Sequence, residues 1–593
     1  MPLPHPSSNV TPVIIIGGGP VGLTLSILLS LHNIPHTLFE RHPATSIHPK
    51  ACGINQRTME VFRTCGVDDA VYAAAAPAEI AGRTAWYTSL GEGGREIASR
   101  DAWGGGRYKG EYEGFSPCRY AFLPQIRLEP ILIERARELN PEGICCGVEV
   151  LDVRDGERKG KVEVRERESG IVAEYEARFI LVADGGRSLT DKLGIAWLGE
   201  GSLFDMVTAH FKAPIRTLHP DPSNFITWFS NPSMGGSMRT GYLYHIGPWP
   251  LTSPSEEEWV FACGITESDP TEFSNETMLD RIRRTLNLPS LDPELLSLSH
   301  WTVNSLYASS WRKGRIFLVG DSAHRIPPFG ALGMNTGIQD AANLVWKLAL
   351  ALQDETKYSP LLDTYQEERL EVGRRVGLTS LSNMRSHVNA IDAAMGVSPS
   401  KTPAENVYEA EGFFSAHRAD YTIKREAMSR AVKALDSEFK APGLEIGWFY
   451  PSADLDHEGG ATHGGQQTAS GELVSEFYFP STIPGHHLPH DWLERGGKKC
   501  AIRDLLALDR MTVFAGGSGA VNEAPDDMIK LVLVGEGDWS DDDGRWRELC
   551  GVDDERGLVV RPDGIVAWRG ELARVEREEW EGLLDRLLRV PAP

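Results

Sequence analysis

Three apolar runs in this chain each lead into glycine, two of them with an acid beside it. Residues 13–16 (VIII) lead into Gly17-x-Gly19-x-x-Gly22, residues 179–182 (FILV) into Asp184-Gly185, and residues 316–319 (IFLV) into Gly320-Asp321. This pattern suits the binding of a dinucleotide. Gly17 permits a tight turn, Gly19 lets a pyrophosphate approach the backbone, and Gly22 lets the next helix pack against its strand. The N-terminus of that helix offers free N–H groups and the positive end of a dipole. Thr37-Leu38-Phe39 then ends in Glu40, an acid placed to hold a ribose hydroxyl. The Gly-rich motif by itself does not separate FAD from NAD.

These residues need a particular scaffold. Runs that are apolar at every position, without alternation, read as parallel strands buried on both faces. After Asp321, Gly333-Met334-Asn335 opens a helix in which Ile338, Ala341, Val345, Leu348 and Leu352 recur at a spacing of three to four, making one buried face. Between the second and third motifs, "MVTAHF", "FITWFS" and "GYLYHIG" read as strands of a separate sheet. On the last of them Tyr242, Tyr244 and Ile246 share one face, and Leu243 and His245 the other.

A chain of 593 residues holds about three to four folding units. Its 60 basic and 83 acidic side chains give a net charge of -23, which argues against nucleic acid and anionic membrane surfaces as partners. The apolar stretch 13–31 is interrupted by four glycines and Pro20, so a strand, turn and helix are expected there and no membrane span. The eight cysteines have no metal-type spacing. With no secretory leader, reduced thiols and a cytoplasmic location are expected. His486, His487 and His490 lie in a Pro/Gly loop without a second ligand cluster, and no metal is expected.

The three acid-bearing motifs, in this order and spacing, resemble the FAD-dependent aromatic hydroxylases, single-component flavin monooxygenases of the phenol hydroxylase and para-hydroxybenzoate hydroxylase type. The resemblance covers nearly the whole chain. It implies an α/β fold: a Rossmann-like FAD-binding domain with an inserted β-sheet substrate domain, plus a C-terminal thioredoxin-like α/β domain. The units expected are 1–195 and 301–389 for FAD, 196–300 for the substrate sheet, 390–445 as a helical connector and 446–593 as a self-contained thioredoxin-like unit. The last lacks CxxC, since Cys500 and Cys550 are isolated, so packing or homodimerisation is expected of it rather than redox work.

The resemblance also implies the site. FAD would be held by Gly17, Gly19, Gly22, Glu40, Arg41, Lys50, Gln125, Asp184 and Asp321, with Pro328 over the flavin ring and Gly333, Met334 and Asn335 at its pyrimidine edge. Reduced flavin is negative at that edge, where a helix N-terminus is stabilising. Tyr244 is the expected catalytic residue, with Tyr242 and Arg239 beside it. NAD(P)H would reduce the flavin, O2 would form a flavin hydroperoxide, and an aromatic or polyketide-like ring would take one oxygen atom. Three departures stand out. Lys50 replaces the family's Arg, Cys52 replaces an acid able to deprotonate a phenol, and Leu332 replaces a polar residue of the flavin loop. The lost acid keeps Baeyer–Villiger oxidation and epoxidation open as alternatives to hydroxylation. A non-catalytic FAD-binding interaction protein is the rival from another class.

Overall fold

The computed structural model describes residues 10–251, 253–266, 269–270, 273–450, 465, 473–516, 528–535, 538–542, 544–553, 555–572 and 576–591. At its centre is a mainly parallel sheet. The strand Val10–Ile16 lies between Val172–Val182 and His36–Glu40, with Ile316–Leu318 and Ile144–Cys146 outside them. Val13, Ile14 and Ile15 are fully buried, as are Ile180 and Leu181, which is why these strands show no polar alternation. The register decides the function of the sheet. Ile16 pairs with Val182, and Val182 with Leu318. The three motifs that follow these residues therefore emerge side by side at one edge, the usual place for a ligand in an open parallel sheet.

The second sheet has eight strands. The strands expected over 196–300 are present, including Trp197–Lys212, Gly241–Gly247 and Glu258–Gly264. The sheet also takes Arg83–Tyr87 and Glu96–Asp101 from the segment assigned to the FAD unit, and His324–Arg325 at its other edge. Arg83–Tyr87 pairs in parallel with Ile226–Phe229. A parallel partner so distant in sequence leaves no local signal.

Residues 390–445 do not behave as a connector. The helices Thr364–Met395, Pro403–Phe414 and Tyr421–Ala434 bury Ile391, Met395, Phe413 and Leu435 in one core with Trp86, Tyr244 and Val260 of the second sheet. They wall one face of that sheet.

The C-terminal unit has a four-stranded sheet. Met511–Ala515 pairs in parallel with Ile529–Leu533 and antiparallel with Arg556–Val560, which forms a hairpin with Val566–Glu571. This unit is not self-contained. Val513, Val559 and Trp580 belong to the same hydrophobic core as Ile15 and Leu344 of the first unit. Buried charges also cross the boundary. Arg561 donates to both oxygens of Glu368 at 2.6 and 2.9 Å, and Lys347 to one of them at 2.7 Å.

Candidate active site

Each glycine of the first loop has its own reason in the geometry. A Cβ on Gly17, whose φ is +105°, would stand 2.2 Å from the Ala183 carbonyl oxygen, and one on Gly22 would stand 1.9 Å from that of Gly17. Those positions pack backbone on backbone. A Cβ on Gly19 would meet nothing within 4 Å, so this glycine faces open space and leaves room for a ligand. It caps the helix Pro20–Leu31 without any side-chain hydrogen bond, and Pro20 fills the first turn. The free N–H groups there point at the same space. Glu40 lies at the rim. Its Oε2 accepts the Gly18 N–H and its Oε1 the His42 N–H, both at 2.7 Å.

The two later acids differ. Asp184 Oδ1 accepts the Ser322 hydroxyl at 2.7 Å and the Gly186 N–H at 3.0 Å. It ties the second motif to the third. Asp321 accepts no side-chain hydrogen bond among the described residues and is exposed to solvent. Yet enough protein surrounds it that desolvation raises its pKa, against the pull of His324, Lys50 and Arg325. An exposed carboxylate that is nevertheless desolvated faces a cleft. Val21, Gly320 and Gly337 meet at its back: a Cβ on Gly337 would stand 2.9 Å from the Gly320 Cα. The dinucleotide loop, the Asp321 turn and the helix Gly333–Gln353 thus converge by close backbone contact.

That helix begins at Gly333 as expected, with Leu332 as its N-cap and no side-chain cap bond. Pro328 is exposed, and Gly330 and Ala331 have φ of +114° and +55°. Leu332 is 2% exposed and packs in the main core, so it replaces a polar residue by turning inward. The Asn335 side chain is wholly engaged with backbone. It donates to the carbonyls of Gly53 and Ala331 at 2.9 and 2.7 Å and accepts the Asn55 N–H at 2.9 Å. Its role in the fold is to clamp the strip 50–55 onto the flavin-loop helix. Met334 is half-buried beside it.

The strip 50–55 links the dinucleotide side to the second sheet. Lys50 is exposed with φ of +50°, and its carbonyl accepts the Tyr244 hydroxyl at 3.4 Å. Gln125, the first residue of the helix Gln125–Leu139, donates its N–H to the carbonyls of Pro49 and Ala51 at 2.9 and 2.8 Å. Its side chain donates to Glu129 at 2.5 Å. Arg41 is half-buried, and its carbonyl accepts from Arg167 at 3.4 Å. A Cβ on Gly53 would stand 2.9 Å from that of Ala331, so only glycine allows the strip to lie against the flavin loop.

Tyr242 and Tyr244 share a face, with ring centroids 6.1 Å apart and planes 13° from parallel. Trp228 and Phe225 extend the aromatic surface at 4.5 and 6.0 Å. Burial raises the pKa of both tyrosines, and of Cys52 to about 12. All three keep their protons at neutral pH. Arg239 lies outside this face, in the turn Ser237–Arg239 against Gly235, and no hydrogen bond joins it to either tyrosine among the described residues. Several neighbours carry no signal in the sequence. His387 Nδ1 lies 2.8 Å from an accepting Glu438 carboxylate oxygen, and its ring lies 4.0 Å from Trp228 and 5.6 Å from Phe329. Only the fold brings these segments together.

Fold and loops together define an α/β protein of the dinucleotide-binding class carrying an added, mostly antiparallel sheet. A family model described as FAD binding domain matches residues 10–379, and one described as aromatic-ring hydroxylase, C-terminal, matches residues 481–591. The chain is 31% identical over 579 residues to phenol 2-monooxygenase of Pseudomonas sp. (strain EST1001), across 95% of this chain and 90% of that protein. It is 29% identical over 610 residues to tetracenomycin A2 monooxygenase-dioxygenase of Streptomyces glaucescens, across 98% and 97%. Among solved structures it is similar to the flavin-dependent monooxygenase PieE in complex with FAD and substrate, with a TM-score of 0.89 at 30% identity over 98% of this chain and 99% of that one. The chain belongs to the FAD-dependent aromatic-ring hydroxylases. It is a monooxygenase, and its cofactor is FAD. The residues present fit that cofactor: an open approach at Gly19, two helix N-termini without side-chain caps, and at Asp321 an acid that accepts no side-chain hydrogen bond among the described residues. Among the described residues no cluster of His, Cys, Asp or Glu could hold a metal, and no helix is long and apolar enough to cross a membrane.

Proposed function

We propose that this chain hydroxylates an aromatic or polyketide-like small molecule at the cleft between the two sheets, using NAD(P)H and O2. The observation that carries the reading is the strip 50–55, which joins the Tyr244 hydroxyl at one end to the flavin-loop helix at the other. FAD bound there would supply the redox chemistry that couples NAD(P)H and O2 to transfer of one oxygen atom to the substrate, the other leaving as water. Gly17, Gly19 and Gly22 would admit the pyrophosphate. Glu40 and Arg41 would lie toward the adenosine ribose, and Asp321, Asp184, Lys50 and Gln125 toward the ribityl and phosphate groups. Pro328, Gly333, Met334 and Asn335 would frame the ring, and the free N–H groups of that helix would stabilise negative charge on it.

The tyrosines orient the substrate. The Tyr244 hydroxyl donates to the Lys50 carbonyl at 3.4 Å, so its oxygen is left to accept a hydrogen bond from a substrate hydroxyl. Tyr242, Trp228 and Phe225 offer flat apolar surface for a ring and exclude water. Cys52 stays a thiol and acts as packing, not as base. Arg239 is the weaker candidate and would bear on substrate from the edge of the sheet. The sheet order of the C-terminal unit, with the second strand outside the first and a hairpin on the other side, supports the thioredoxin-like reading, used for docking on the FAD-binding part. Eight free thiols fit a reducing, cytoplasmic compartment. A panel of phenols, naphthoquinols and polycyclic polyketides tests the proposal. At least one should accelerate NAD(P)H oxidation and yield a product heavier by one oxygen. Flavin reduction that no member stimulates, with no product, would contradict it.

A further inference from the structure

A second cleft lies between the dinucleotide-binding unit and the C-terminal unit, lined by residues other than those of the tyrosine face. It has a volume of about 60 Å3 and is open to solvent on one side. Arg57 and Glu60 reach it from the helix Gln56–Cys65, Gln339 and Asn343 from the helix Gly333–Gln353, and His487 and Arg503 from the C-terminal unit. Arg57 pairs with Glu60, and Arg503 Nε lies 3.0 Å from the same carboxylate oxygen. The other oxygen of Glu60 accepts the Ser116 hydroxyl at 2.6 Å. Asp563, also on the wall, is committed to Arg561 at 2.5 Å. One carboxylate therefore stands against two guanidiniums, and the cleft keeps an excess positive charge.

Its donors are also unmet. Arg57 Nε, Arg503 Nη1 and both ring nitrogens of His487 are buried with no hydrogen-bond partner among the described residues. Arg57 is 3% exposed and His487 2%. Burial, reinforced by Arg57 and Arg503, holds His487 neutral, with one N–H to give. Buried polar groups are nearly always satisfied, so several orphans around one positive cleft mark a binding site. We propose that this cleft binds a small oxyanion, the chemistry shared by a carboxylate and a phosphate, between Arg57 of one unit and Arg503 and His487 of the other. Guanidinium groups suit such oxygens, and one negative charge balances the cleft. The ligand would bridge the two units. It would also sit behind the cofactor side, since Gln339 on the same wall donates to Asn55 at 3.4 Å, and Asn335 holds the Asn55 N–H.

The inference does not rest on the hydroxylase reading, and binding alone tests it. FAD-loaded protein is titrated with sodium phosphate or sodium acetate, at ionic strength held constant with chloride, and followed by calorimetry and thermal unfolding. Saturable binding at one site, with a rise in melting temperature, is expected for at least one of the two anions. The arm that responds identifies the source. Arg503→Gln should weaken that binding at least tenfold. Leu508→Glu, on a half-buried residue of the cleft lining, adds a negative charge without altering the buried pairs and should also weaken it at least tenfold. This second variant decides the matter if Arg503→Gln does not fold. No saturable binding of either anion, or wild-type affinity in Leu508→Glu, would overturn the proposal and leave the cleft to water.

Discussion

Asp340 Oδ2 accepts the backbone N–H of Gly320 at 3.2 Å. A fully buried acid in the middle of the flavin-loop helix thus fixes the turn that carries Asp321. The same carboxylate takes His324 Nε2 at 2.8 Å and Arg369 Nε at 2.7 Å, and these two groups hold its pKa below the usual range despite burial. Asp184 joins the arrangement through Ser322.

Asp340→Asn should therefore act on cofactor binding without touching the cofactor. It leaves Arg369, which is fully buried, short of its counter-charge. The expected cost is about 3–5 kcal/mol of stability, read by urea unfolding, together with FAD loss on gel filtration. Wild-type stability and flavin content would show that the turn is held by other contacts.

Asp321→Ala removes a carboxylate that accepts no side-chain hydrogen bond among the described residues. The fold should stand, and FAD affinity should fall by about 1.5–3 kcal/mol, the value of a charge-assisted hydrogen bond. Flavin fluorescence titration of the apoprotein measures it. Unchanged affinity would make Asp321 a turn residue only.

The parallel core was legible because its strands are apolar at every position, and the loop glycines because their spacing has a mechanical meaning. Asp340 was not legible. A lone acid inside an apolar helix pattern declares no partner, and Arg369 and His324 come from other elements. Nor did Arg83–Tyr87 announce its pairing with Ile226–Phe229, since a parallel ladder needs no nearby turn. The helices of 390–445 looked polar because each buries only one stripe, which the fold then lays on the second sheet. The tyrosine face was readable from alternation alone, while His387 and Glu438 beside it were not.

The C-terminal unit should prove inseparable from the rest. Arg561, Glu368 and Lys347 are almost wholly buried at the boundary. Arg561→Met would leave Glu368 with Lys347 as counter-charge and the Asn343 amide at 2.7 Å, and should cost about 3–5 kcal/mol. A chain ending at residue 450 should fail to fold in soluble form. A stable, flavin-binding truncation, checked by circular dichroism and absorbance, would contradict this docking.

Glu445 gives the stability a pH dependence. It is 3% exposed, its Oε2 has no hydrogen-bond partner among the described residues, and burial raises its pKa from 4.5 to about 7. The folded state holds the proton more tightly than the unfolded chain. The contribution is thus full below about pH 4.5 and is lost as pH rises through 7, by about 3 kcal/mol at most. Glu445→Gln should be more stable than wild type at pH 8 and indistinguishable near pH 4.5. Parallel urea curves at both pH values would count against it.

Tyr244→Phe keeps the packing and removes the hydroxyl. NAD(P)H oxidation should continue while product yield falls about tenfold to a hundredfold, a loss of about 1–3 kcal/mol in the oxygen-transfer step. The missing electrons should appear as H2O2. Unchanged coupling would assign Tyr244 to packing and move the search to Tyr242 and Arg239.

The most direct test follows the oxygen itself. Wild-type protein loaded with FAD is turned over with NAD(P)H and a responding aromatic substrate under 18O2, and the product is examined by mass spectrometry. One 18O atom, carried as a hydroxyl on the ring, is the result expected. Label in an inserted ester or an epoxide would move the chemistry to Baeyer–Villiger oxidation or epoxidation, and an oxygenated product without 18O would contradict a monooxygenase altogether.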